Sequence, residues 1–241
     1  VTITFLSQRL EFPHPSQAGP DGLLAVGGDL SPERLLAAYK QGIFPWYGPG
    51  SPILWWSPDP RLVLYPHNIR ISRRLRRVLN SGRFLITADL AFEKVIEYCA
   101  RTPRKGAWGT WLVPEMIDAY IRLHHMGIAH CFEAWDQGRL AGGIYGVALG
   151  RVFFGESMFY RVANASKAAL VHLCSFLEEQ GFLFMDCQQT TGHMLRLGAV
   201  QIDRAVFLDQ LEAGMRSGPG PGRWSLSKGV HEMKHKACSK D

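Results

Sequence analysis

The chain has 241 residues, 46% hydrophobic and 20% charged, enough to bury a core without disulfides or a structural metal as staples. Twenty-seven basic residues against 21 acidic ones leave a formal charge of +6 and an isoelectric point near 9.2, a balance that fits a polyanionic partner without requiring one. Five cysteines, Cys99, Cys131, Cys174, Cys187 and Cys238, form an odd set with no Cys-x-x-Cys pair, which argues against a disulfide framework and a zinc site and points to a reducing cytoplasm.

The start, Val1 to Leu6, lacks the basic residues and long apolar run of a signal peptide, and no stretch approaches a membrane span, so a soluble protein is expected. Residues 11–29 are rich in Pro, Gly and Asp and read as surface turns. Ser31-Pro32 then opens a helix that runs through Leu35, Leu36 and Tyr39 to a stop near Gly42, because serine can take up a free amide and proline fits the first helical position. From Phe44 to Pro60 the chain is aromatic and proline-punctuated, and Trp55 and Trp56 read as a small core between two domains. Arg61 to Tyr65 reads as a strand beside a domain boundary, dividing a small N-terminal α/β domain (1–62) from a larger C-terminal domain (63–216).

Ser72 caps a short helix with Leu75, Val78 and Leu79 on one face and Arg73, Arg74, Arg76 and Arg77 on the others. No glutamate interleaves with these arginines, which favours phosphate contact over a solvated surface. Phe84 to Thr87 reads as a strand, and Asp89 as the cap of a helix burying Phe92, Val95, Ile96 and Cys99. Arg101 to Gly106 is a basic loop, followed by Trp111 and an amphipathic helix from Pro114 to Met126. His124, His125 and His130 lack the spacing of a metal site and read as surface or core histidines. Three strands follow, Ile128–Trp135, Arg139–Leu149 and Val152–Phe159, joined by the hairpin turns Asp136-Gln137-Gly138 and Gly150-Arg151. Glu156 sits inside the last of them, a carboxylate in an apolar run that calls for a partner. A helix over 166–180, stopped by Gly181, leads to a buried strand ending in Asp186-Cys187-Gln188, so two polar side chains stand at the carboxyl edge of a sheet. His193 to Ala199 gives a short helix and turn, and Arg204 to Leu211 a strand-to-helix segment. After Ser217 the Gly-Pro run and polar remainder read as a mobile basic tail (217–241).

Several blocks together carry a resemblance. Gly155-Glu156-Ser157-Met158-Phe159, Asn164-Ala165-Ser166-Lys167 and Asp186-Cys187-Gln188, with His193 and Leu197-Gly198-Ala199, are preceded by Gly22 to Pro32, Gly42 to Tyr47 and Trp55 to Arg61. In this order they resemble the leucyl/phenylalanyl-tRNA-protein transferase family, over roughly Phe12 to Leu211. The resemblance implies a mixed α/β (α+β) fold whose C-terminal domain is like the acyl-CoA N-acyltransferases. The implied activity is transfer of leucine or phenylalanine, with methionine a further candidate, from aminoacyl-tRNA to proteins beginning with Arg or Lys. The product carries a signal for degradation. No cofactor, metal or membrane is implied, and a monomer is expected.

The resemblance also distributes roles. Trp46 and Trp111 are expected to sandwich the terminal adenosine of the tRNA with Tyr120 near the same pocket, stacking being worth about 1 to 3 kcal/mol per base; core packing is the alternative for Trp111 and Tyr120. Gln188 is expected to bond the attacking amine and Asp186 to act electrostatically or accept its proton, against the alternative that this aspartate merely fixes the following turn. Glu156 is expected to receive the acceptor's cationic group, against a structural pairing with Arg161 or Lys167. Ile144, Phe153 and Leu170 are expected to wall the donor side-chain pocket. The family's usual Ser-Met-Phe-Ser-Arg reads Ser157-Met158-Phe159-Tyr160-Arg161 here, and the bulk of Tyr160 bears on donor preference. Two rivals are a small-molecule N-acetyltransferase, which should carry a Gly-rich pyrophosphate loop where Arg161 to Ser166 has none, and a non-catalytic RNA-binding module, which leaves Glu156, Asp186 and Gln188 without a purpose.

Overall fold

Two sheets follow from where apolar residues recur along the chain. The computed structural model describes residues 3–102 and 112–226. The first sheet holds β1 (Thr4–Leu6), β2 (Leu23–Gly27), β3 (Phe44–Pro45) and β4 (Leu54–Trp56) in the order β1-β2-β4-β3. Helix α1 (Pro32–Tyr39) stands between β2 and β3 in the chain, and the Ser31 hydroxyl accepts the Arg34 amide hydrogen as its cap. Trp55 is fully buried and donates its indole N–H to the Gly27 carbonyl at 2.8 Å.

The second sheet has seven strands: β5 (Arg61–Leu64), β6 (Leu85–Ala88), β7 (Ala129–Asp136), β8 (Arg139–Leu149), β9 (Val152–Tyr160), β10 (Phe184–Gln188) and β11 (Val200–Ile202). Their order is β11-β5-β10-β9-β8-β7-β6. The remaining helices are α2 (Arg73–Asn80), α3 (Phe92–Arg101), α4 (Pro114–His125), α5 (Ala165–Glu179), α6 (Gly192–Arg196) and α7 (Arg204–Met215). The protein is therefore mixed α/β with a small N-terminal domain, as the sequence leads one to expect. The β7-β8-β9 meander turns on Gln137 and Gly138, both at positive φ, and α5 then carries the chain back so that β10 lies parallel to β9. One apolar cluster gathers α1, α3, α4 and α7, and a second gathers the inner residues of α5. Gly142 admits the start of α5 to β8, because a Cβ there would sit 2.7 Å from the Ala165 side chain.

Three expectations are corrected. Asp89 does not cap α3: it is buried in the left-handed region (φ 54°), where its carboxylate accepts the Cys131 and Trp224 amide hydrogens and pairs with His130. Glu133, reaching from β7, takes the amide hydrogens of Leu90 and Ala91 instead. Residues 204–215 form one helix, with the short strand β11 before it. Nor does the tail leave the surface at Ser217. Trp224 is only 8% exposed, stacks on His130 at 3.9 Å and lies against Phe153, Phe176 and Phe182, so the chain is docked as far as its neighbour Leu226. Residues 227–241 lie outside the described part.

Candidate active site

The site forms where two central strands each depart from regular pairing. Along β8 and β9, Tyr145 pairs with Ser157 but Gly146 with Gly155, which leaves Glu156 as the extra residue of a bulge. Glycine at 146 makes this geometry accessible, since a Cβ there would collide with the Phe154 carbonyl and the Phe153 ring. The extra residue resets the alternation: Phe154 packs with the α1 and α4 cluster, whereas Met158 packs with the α5 cluster. On β10 the register against β5 shifts between Asp186 and Gln188, and Gln188 sits in the left-handed region at φ 61°. A non-glycine residue held there stores strain of about 1 to 3 kcal/mol, a feature that concentrates at functional positions.

The parallel pairing of β9 and β10 ends at Phe154 and Asp186. Beyond that point side chains span the opening: the Gln188 amide nitrogen donates to Glu156 Oε1 at 2.8 Å. The other donors to Glu156 are the Tyr39 hydroxyl on Oε1 (2.7 Å) and the Tyr120 hydroxyl on Oε2 (2.9 Å), and the two tyrosyl oxygens are themselves 2.7 Å apart. Burial pushes the Glu156 carboxyl up to about 7; the hydrogen bonds from Tyr39 and Tyr120 oppose this and the nearby Asp186 charge adds to it. The oxygen triangle is consistent with that value. Three close oxygen contacts need three protons, and the tyrosines supply two, so a protonated Glu156 completes the set.

Asp186 is fully buried and bidentate to Arg61, with Nε to Oδ1 at 2.9 Å and Nη2 to Oδ2 at 2.7 Å. Its Oδ1 also accepts the Gln188 backbone N–H at 2.8 Å. Both Asp186 oxygens are thus engaged, with no exposed surface, and one of them holds the Gln188 backbone. The Arg61 guanidinium lies between the rings of Phe44 (4.9 Å) and Phe207 (4.5 Å), so its charge is held by aromatic faces as well as by the carboxylate.

Glu156, Asp186 and Gln188 are thus brought together, and the alternative partners Arg161 and Lys167 are not those of Glu156. Tyr120 is corrected: it is fully buried with its hydroxyl on Glu156 and its ring against Tyr145, and it offers no face for stacking an adenine. Trp46 keeps an open face, 37% exposed and edge-on to Trp56. Trp111 lies outside the described residues. Ile144, Phe153 and Leu170 share the α5-side cluster, each 2% exposed or less, so they are part of packed core and not of an open wall. Tyr160 projects outward at 62% exposure, clear of that cluster. Arg73, Arg74, Arg76 and Arg77 are all exposed, and none forms an ion pair among the described residues. No group of histidine, cysteine and carboxylate side chains suited to a metal occurs among the described residues.

Sequence reasoning gives no role to Tyr39 and Arg61. Arg61 has a readable signal, an arginine opening the apolar strand Arg61-Leu62-Val63-Leu64, which demands a buried counter-charge such as Asp186. Tyr39 has none, since one aromatic on a helix face looks like any other core residue.

The profile of the leucyl/phenylalanyl-tRNA protein transferase family matches residues 63–212, and that of the family's N-terminal domain matches residues 28–59. The chain belongs to this family. A leucyl/phenylalanyl-tRNA–protein transferase of Oleidesulfovibrio alaskensis is 54% identical over 234 residues, 95% of this chain and 94% of that protein. One from Nitratidesulfovibrio vulgaris is 60% identical over 215 residues, 89% and 92% of the two chains. Among solved structures, a GCN5-related N-acetyltransferase of Kribbella flavida overlaps 70% of this chain and 60% of its own at a TM-score of 0.30 and 10% identity. Family membership makes the protein an aminoacyltransferase that works from aminoacyl-tRNA to protein. No helix among the described residues of the transferase is long and apolar enough to cross a membrane.

Proposed function

We propose that the transferase delivers leucine or phenylalanine to proteins whose first residue is arginine or lysine, marking them for degradation, and that Gln188 and Glu156 handle the attacking amine. The observation that carries this reading is the Gln188–Glu156 bond across the β9–β10 opening. An aminoacyl ester is already activated toward amines, so the enzyme's task is to bring the amine's lone pair to the ester carbonyl and manage protons. Glu156 takes the Gln188 NH₂ group, which leaves the amide oxygen of Gln188 to accept a hydrogen from the acceptor's amine and aim its lone pair. Asp186 and Arg61 are positioning residues: they fix the strained backbone of Gln188 and leave its amide group free to turn toward substrate. As the carboxylate, Glu156, with its proton affinity near neutrality, can take the proton that leaves the amine and return it to the ribose oxygen, which departs as a hydroxyl. Its second task, once it has ionised, is to offer charge to the acceptor's cationic first residue.

On the donor side, Trp46 and Trp111 hold the terminal adenosine, the α2 arginines hold RNA phosphates, and the closed apolar cluster of Ile144, Phe153 and Leu170 parts to admit the donor side chain. Tyr120 moves in this reading from the adenosine to the Glu156 network. The protein works as a cytoplasmic monomer without cofactor. Incubation with phenylalanyl-tRNA, acetyl-CoA and an Arg-initiated peptide tests the proposal: the peptide gains phenylalanine at its amino terminus. Acetylated peptide with no phenylalanyl product would overturn it.

A further inference from the structure

A trough on the α5 side of the sheet has, apart from Arg74 at its edge, no part in the reading above. Its larger chamber, about 490 Å³, is lined by Arg74, Met158, Tyr160, Asn164, Ser166, Lys167 and His193 among others. A smaller chamber of about 310 Å³ shares Ser72, Lys167 and His193 with it and adds Arg70 and Arg196. No carboxylate lines either chamber among the described residues. The 15-residue helix α5 begins at the larger chamber, after Asn164 at φ 71°, and has no side-chain cap. Ser166, in its first turn, is only 4% exposed, lines the chamber, and its hydroxyl has no hydrogen-bond partner among the described residues. Lys167 likewise has no ion-pair partner among the described residues, and His193 is held below its ordinary value by burial first and then by Lys167 and Arg196. A helix start without a side-chain cap, together with a serine hydroxyl and cations that have no partner among the described residues, is the chemistry of a phosphate site.

We infer that this trough is a phosphodiester-binding subsite for the single-stranded 3′ end of the donor RNA, with Ser166 and the amino end of α5, Lys167 and His193 around a phosphate and the exposed Arg70, Arg74 and Arg196 on the rim. The inference rests on the aminoacyl-tRNA reading and deepens it. The trough starts beside α2, whose arginines face solvent, and ends at Met158 on β9, two residues from Glu156, so it joins the basic helix to the strand that carries the reacting site. Its two chambers exceed the volume of one phosphate and suit consecutive nucleotides.

The test compares phenylalanyl-tRNA with phenylalanyl-adenosine, which has no phosphodiester, as donors for wild type, Ser166→Ala, Lys167→Gln and Lys167→Glu. In Lys167→Glu the KM for the tRNA rises at least tenfold more than the KM for phenylalanyl-adenosine, and the slope of log KM against log salt drops by about one. Ser166→Ala and Lys167→Gln follow in the same direction with native melting curves. Direct binding of a labelled cytidine-cytidine-adenosine trinucleotide, read by anisotropy, weakens in Lys167→Glu. Equal KM changes for both donors, or an unaltered salt slope, overturn the subsite. Displacement of the trinucleotide by inorganic phosphate or coenzyme A at micromolar concentration would assign the trough to a free phosphate or nucleotide and overturn it too. If wild type does not use phenylalanyl-tRNA, the wider reading fails, and the trinucleotide measurement still decides the trough: weakened binding in Lys167→Glu supports it and unchanged binding removes it.

Discussion

Glu156 is the residue whose protonation the rest of the site feels. Its carboxyl is raised from an ordinary value of 4.5 to about 7, so the folded protein holds this proton more tightly than the unfolded chain does. The stability it contributes is full below the unfolded value and is lost as pH rises through about 7, a change of roughly 3 kcal/mol for a shift of this size. Urea denaturation of wild type and Glu156→Gln between pH 4 and 8 should therefore show a downward drift in wild type that the variant lacks. Transfer from phenylalanyl-adenosine should climb through the same region as the carboxylate forms, and the inflection should vanish in Glu156→Gln. Gln188 allows a separate experiment, because its side chain and its left-handed backbone are distinct features. Both Gln188→Ala and Gln188→Gly remove the amide and should abolish transfer, but glycine adopts φ 61° freely, so Gln188→Gly should melt as the more stable of the two by about 1 kcal/mol.

Among the elements, α2 is the most completely legible in the sequence, since its serine cap, its apolar stripe and its arginines are all local signals. Replacing Arg73, Arg74, Arg76 and Arg77 by glutamine should weaken use of phenylalanyl-tRNA and flatten its salt dependence by about one unit of slope for each phosphate that is no longer neutralised. Exposed and without an ion pair among the described residues, these side chains should change the melting temperature very little. The start of α3 is illegible because the turn leading into it, Leu90-Ala91, is held by Glu133, more than 40 residues along the chain, and no local pattern announces such a partner. The segment after Ser217 misleads for a related reason: five residues of alternating Gly and Pro look unable to pack, yet a single indole seven residues on anchors them. Trp224→Ala should cost about 3 kcal/mol, as other large buried aromatics do, and should make this segment newly sensitive to protease.

At the scale of the whole molecule, the strand order and the site share one limit of legibility. Individual strands can be placed from their apolar runs, and the carboxylates of β9 and β10 stand out for lying within them. The bulge at Glu156 and the closure of Arg61 on Asp186, 125 residues apart, arise only once β5, β10, β9 and β8 lie side by side. The parting of β9 from β10 has a kinetic consequence. At that parting Glu156 faces the tyrosine-lined side of the sheet, whereas the trough and the apolar cluster lie on the α5 side. On the proposed reading the acceptor's amine at Glu156 and the donor RNA in the trough have separate sites, so both substrates occupy the enzyme together. Initial-rate plots with both substrates varied should intersect rather than run parallel, and product inhibition should fit random-order addition; parallel lines would signal an acyl-enzyme, for which the opening between the strands offers no need.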